Sequence, residues 1–250
     1  MLGTDGMRPD RGKGCGNRLT RVSFVVQSHP MESNWAAEHL QVIRTLMERS
    51  ALYRRALAPI MIFAGLLGMA AAAAGWAFSI SEPRWFVGYW FCIGAVALAG
   101  AFLMVRRQAW QQSEPFWSPP TRRVALAMLP SLTAGFILGL LVIAADWLRH
   151  GRGDGMPAPP NAIVLFCLPL IWVILYGCAI HAAGFFMARG MRLFGWALVI
   201  MACAAFLFGG LNVGSWLVLV SYGLMGFFFG LLHLAYGVYL YFTEQRRNEK

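Results

Sequence analysis

The sequence predicts an all-α integral membrane bundle of six transmembrane helices preceded by an amphipathic cytoplasmic helix. Three observations carry this reading. The 250 residues are 58% hydrophobic and only 13% charged, whereas a soluble domain is about half apolar and a quarter charged. Six apolar runs are each long enough to cross a hydrocarbon core of about 30 Å as a helix. Lys and Arg gather almost entirely on the segments to one side of those runs.

Residues 1–33 are polar, basic and rich in Gly, and "VSFVV" at Val22 to Val26 is too short for the apolar region of a secretory signal. The segment is expected to be disordered, with Met31 as an alternative start. Residues 34–56 have helical periodicity. Ala36, Leu40, Ile43, Met47 and Ala51 share one arc, and Gln41, Arg44, Glu48, Arg49 and Arg55 gather opposite. Such a helix suits the membrane surface, and packing on a cytoplasmic partner is its other use. Arg54 and Arg55 then hold the entry to the first span at the headgroups, and Pro59 permits a bend there.

The predicted spans are about 57–79, 85–105, 124–147, 162–184, 193–209 and 216–242, with a tail at 243–250. If the N-terminus is cytoplasmic, 18 of the 21 Lys and Arg lie on inside segments, with Arg106, Arg107, Arg122 and Arg123 flanking the second and third spans. That bias favours both termini inside. Trp76, Trp85, Trp147 and Trp216 mark the outer ends, while Trp110, Trp117 and Trp196 mark the inner side. The stretches Arg106 to Arg123 and His150 to Asn161 read as loops, the first basic and aromatic, the second rich in Gly and Pro.

The net charge of +10 is explained by this topology and does not call for nucleic acid. The five cysteines (Cys15, Cys92, Cys167, Cys178 and Cys203) show neither disulfide-framework nor zinc spacing. There is no phosphate loop, no His-Glu-x-x-His and no nucleophile elbow. No acidic residue stands near the middle of a span, Asp146 at the outer end of the third being the nearest, which weighs against a buried carboxylate relay.

The polar residues that do enter the spans are Tyr176, Cys178 and His181 in the fourth and Tyr222 and His233 in the sixth. His181 and His233 fall at similar depth, roughly 26–29 Å from the outer boundary at 1.5 Å per residue. Small-residue stripes accompany them: Gly177 and Gly184 with His181, and Gly223, Gly226, Gly230 and Gly237 with His233. Gly135 and Gly139 form another in the third span. Such stripes mark helix–helix contact, so both histidines are expected to face protein and bond neighbouring helices. Two alternatives accompany this expectation. One is a bis-histidine b-type haem on His181 and His233. The other is a metal or proton site using Cys178, His181 and His233.

The stretch "IRTLMERSALYRRALAPIMIFAG" (Ile43 to Gly65) resembles the opening of small bacterial multi-pass membrane proteins. The resemblance covers about a tenth of the chain. It implies a bacterial inner-membrane location and supplies no activity, ligand or catalytic residue.

The expected function is therefore non-enzymatic: a membrane scaffold, sensor or subunit of a membrane complex, with the bilayer and a protein partner as its contacts. No cofactor is expected, and homo-oligomerisation through GxxxG faces remains open. A small permease, with Tyr176, His181, Tyr222 and His233 lining a path, is the alternative.

Overall fold

Apolar length decides the elements, because a chain in lipid must satisfy its backbone internally. The computed structural model describes residues 57–111, 119–152, 161–187, 189–209 and 216–248. Among these, all regular structure is helical: α1 (Leu57–Ala77), α2 (Pro83–Gln111), α3 (Pro119–Arg152), α4 (Asn161–Ala183), α5 (Arg189–Gly209), α6 (Leu217–Met225), a π-helical turn (Gly226–Leu231) and α7 (Leu232–Asn248). The last three run on as one span, and six spans in all are long and apolar enough to cross a membrane. The amphipathic helix at 34–56, with Arg54 and Arg55, lies outside the described residues, as does the basic segment before it.

The helices outrun their apolar cores. α2 continues through Arg106, Arg107 and Trp110, and α3 already includes Arg122 and Arg123. Both ends of the expected Arg106–Arg123 loop are thus helical, and α3 also takes in the start of the expected His150–Asn161 loop. The physical reason is that hydropathy marks where lipid ends, whereas a helix of Ala, Arg and Gln keeps its own hydrogen bonds in the interface. Arg106, Arg107, Arg122 and Arg123 are all exposed, and the Arg106 guanidinium lies 5.0 Å from the Trp110 ring.

Termination of α1 is sharper. Ser79 adopts the left-handed conformation at φ 50°, and its N–H bonds the Trp76 carbonyl at 2.9 Å. Pro83 then opens α2, where its missing N–H is no loss.

α4 is the central helix. Half of its span (50%) is buried, against 11% for α3, and it packs on α5, α3, α6 and α2. One core cluster gathers Leu170, Val173, Phe194, Leu198 and Phe228 around it. A second joins Ala71, Ala72, Phe86, Trp90, Leu165, Tyr222 and Met225. Trp172 ties α4 to α3 by donating its indole N–H to the Gly135 carbonyl at 2.9 Å.

Small residues set how closely the helices pack. Gly177 of α4 and Gly195 of α5 meet backbone to backbone: a Cβ on Gly177 would stand 2.9 Å from the Gly195 carbonyl oxygen. Gly184 meets the Arg192 backbone, and Gly139 is filled by Phe91 and Trp172. α1 and the last span cross in the same way. A Cβ on Gly68 would lie 2.6 Å from the Phe229 carbonyl oxygen, and one on Gly230 would lie 2.6 Å from Met69. Gly226 meets Ala72 and Gly237 meets Ile62, whereas Gly223 faces open space.

Candidate functional site

The last span brings one polar group deep into the bundle. His233 sits in the first turn of α7, directly after the π turn, and is 2% exposed. Its Nδ1 lies 2.9 Å from the Phe228 carbonyl oxygen, five residues back. Its Nε2 lies 3.0 Å from the hydroxyl of Tyr176 on α4. A carbonyl can only accept, so Nδ1 carries the proton. Nε2 is then a lone pair, and the Tyr176 O–H donates to it. Both ring nitrogens of the neutral imidazole are satisfied inside the protein.

The π turn is part of this geometry. Within it, the Leu232 N–H reaches back five residues to the Phe227 carbonyl, so the Phe228 carbonyl is placed to take the imidazole N–H. Pro169 disturbs α4 in its own way, because about two turns before Tyr176 it removes the N–H that would pair with the carbonyl of residue 165. Aromatic rings close the surroundings. Phe194 stands edge-on to His233 at 5.2 Å and stacks on Tyr236 at 4.6 Å. Phe229 packs on Tyr176 at 5.2 Å.

His181 serves a different place. It lies at the end of α4, half-buried, with Nδ1 3.4 Å from the Arg192 carbonyl oxygen. Its ring meets Phe185 at 5.2 Å and Trp196 at 5.3 Å, both edge-on. The Arg192 guanidinium covers Phe185 at 5.3 Å. This group fastens the α4–α5 hairpin.

Tyr222 is buried near the start of the last span, in a third setting. It donates to the Ile80 carbonyl at 3.2 Å and packs against Phe86 at 5.3 Å. Beside it, Tyr89 donates to the Ala71 carbonyl at 2.6 Å. The nearby end of α3 contributes Asp146, whose carboxylate is 3.7 Å from Arg84 Nε.

Of the five intramembrane polar candidates, then, Tyr176 and His233 meet. His181 and Tyr222 keep separate partners, and Cys178 is exposed. The four residues expected along a transport path therefore occupy three settings. The glycine stripe of the last span is likewise filled by α1, so Gly226, Gly230 and Gly237 do not make room for a macrocycle. Among the described residues, no group of three or more His, Cys, Asp or Glu is placed to hold a metal ion. Sequence reasoning missed Phe194, Phe229, Gly195 and the Arg84–Asp146 pair. Only Gly195 left a usable signal, as a small residue near the predicted start of the fifth span.

No family model matches the chain, and neither a curated protein nor a solved structure matches it. The six apolar helices are consistent with a multi-pass membrane protein.

Proposed function

We propose that this chain is a multi-pass protein of the bacterial inner membrane, with both termini cytoplasmic, that acts without chemistry of its own as a scaffold, sensor or subunit of a membrane complex. One observation carries the reading. Most hydrogen-bonding side chains described inside the bundle are engaged with one another or with backbone carbonyls, the buried Trp90 indole N–H and Tyr236 hydroxyl being exceptions. Tyr176, His233, Tyr89 and Tyr222 each tie one helix or turn to another. Groups held in this way strengthen a framework, because an unsatisfied polar atom in lipid costs several kcal/mol on the order of its desolvation. The test is gentle co-purification from native membranes, with identification of bound proteins, haem and metals. Stoichiometric recovery of one membrane protein supports the subunit reading. Recovery of the chain alone with bound haem overturns it.

A small permease is the second reading, favoured by two helix interruptions in the spans that carry the Tyr176–His233 pair: the π turn just before His233 and Pro169 within α4. Interrupted helices in opposition are a feature of transporter binding sites, and π turns often occur at functional sites. In a protein otherwise free of cysteine, Tyr176→Cys should resist a membrane-impermeant maleimide from both sides if the bundle is a sealed framework. Rapid labelling there supports the permease.

A further inference from the structure

A groove of about 670 Å³ opens where the α1–α2 turn meets the first turns of α2. Its lip is polar, formed by Ser79, Ser81 and Glu82, and its wall carries Trp85, Gly88 and Cys92. Trp76 and Trp85 are both exposed on the flanks, at the depth where indole rings sit between headgroups and hydrocarbon. Glu82 is the single charged residue in the lining and forms no ion pair among the described residues, whereas neighbouring Arg84 is turned to Asp146 and to the face of Trp85. The lip therefore presents a carboxylate and hydroxyls.

Below the lip, the groove continues as a furrow along α2. Gly88, Cys92, Ala95 and Ala99 recur at steps of four, three and four, so they share one helical face. Cys92, Ala95 and Ala99 are exposed, and a Cβ on Gly88 would meet nothing within 4 Å. Val96 and Leu98, both exposed, stand about 80° to either side and form the walls. From residue 88 to residue 99 the furrow runs roughly 16 Å along the axis. That matches the depth of one leaflet, roughly half of a 30 Å hydrocarbon core.

We propose that this groove and furrow form a site for one phospholipid with a primary-amine headgroup, of the phosphatidylethanolamine class. The ammonium donates to Glu82, the Ser81 hydroxyl donates to the phosphodiester, and one acyl chain lies over Gly88, Cys92, Ala95 and Ala99. An anionic headgroup without an amine would set its charge against that of Glu82 and forgo the ammonium–carboxylate pair. The furrow accepts a flexible chain because its floor has no side chain longer than that of Cys92.

Native mass spectrometry of the full-length protein, incubated with equal amounts of phosphatidylethanolamine and phosphatidylglycerol in mild detergent, tests the site. About a threefold preference for the ethanolamine lipid is expected, the size that one exposed ion pair allows. Glu82→Gln should bring the preference close to unity. Gly88→Phe, whose Cβ would meet nothing within 4 Å, should remove the adduct at unchanged melting temperature, with Ala95→Phe as the second blocking variant if the first fails to fold. Equal retention of both lipids by the unaltered protein would overturn the proposal, as would an undiminished adduct in a folded blocking variant. A dimer that Gly88→Phe dissolves would also overturn it, by making a second copy the occupant.

Discussion

At the scale of single residues, the Tyr176–His233 pair shows what a sequence can and cannot disclose. Polar residues in an apolar run are visible at once, and so is the need for a partner. The identity of the partner is not, because 57 positions separate the two side chains and nothing local links them. The same limit applies to Asp146, which stands out as an acid at a span end but whose pairing with Arg84 depends on how α2 and α3 meet. The pair makes a clear prediction. Tyr176→Phe leaves Nε2 of His233 without a donor at a buried site, so it should lower stability by about 1–2 kcal/mol. His233→Leu alone strands the Tyr176 hydroxyl in the same way. In the double variant neither polar atom remains, so its loss should fall short of the sum by about 0.6–1.5 kcal/mol, in line with hydrogen bonds between membrane helices. Thermal or denaturant unfolding in one detergent measures all four proteins, and strict additivity would show that the hydrogen bond contributes nothing.

Helices were legible by apolar length, and their contacts by glycine, but only within the accuracy of a 3.6-residue period. A step of three residues turns about 60° away from the residue it starts at. Gly223 and His233 are each three residues from a stripe member, on opposite sides. Gly223 accordingly faces open space while His233 leaves α1 and turns to α4 and α5. The π turn was illegible, because "GFFFG" fits an α-helix equally well. The first helix carries the complementary signal: Gly65, Gly68 and Gly75 meet Leu234, Phe229 and Tyr222. Two predictions belong here. Gly68→Leu should force α1 off the Phe229 carbonyl and cost about 1–3 kcal/mol or more, with reduced accumulation in the membrane. Gly223→Ala and Gly94→Ala, which meet nothing within 4 Å, should stay within about 0.5 kcal/mol of the parent. A melting series of the three variants decides whether close approach, rather than glycine content, holds the span pair together.

For the molecule as a whole, the arrangement of helices and the distribution of charge bear on different questions. α4 lies at the centre while α2 and α3 stay peripheral (17% and 11% buried), so most of their surface meets whatever surrounds the bundle. Packing of this kind is indifferent to which side of the bilayer is which. Orientation instead rests on the 18 Lys and Arg that an N-in, C-in arrangement collects on one side. Arg106, Arg107, Arg122 and Arg123 sit on helical extensions beyond the apolar cores, where they can stay at the headgroups while the helix continues. A fluorescent protein fused after Lys250 should therefore fold and emit, and alkaline phosphatase at the same point should be inactive. The opposite pair of results would reverse the orientation. Because the bias is shared among several segments, no single arginine pair should control it. Replacing Arg54 and Arg55 with Ala should impair insertion of the first span and lower the amount of protein in the membrane, without reversing the C-terminal reporter. If the double variant instead accumulated normally and lost only a bound protein, Arg54 and Arg55 would be a docking site for that partner and not an anchor.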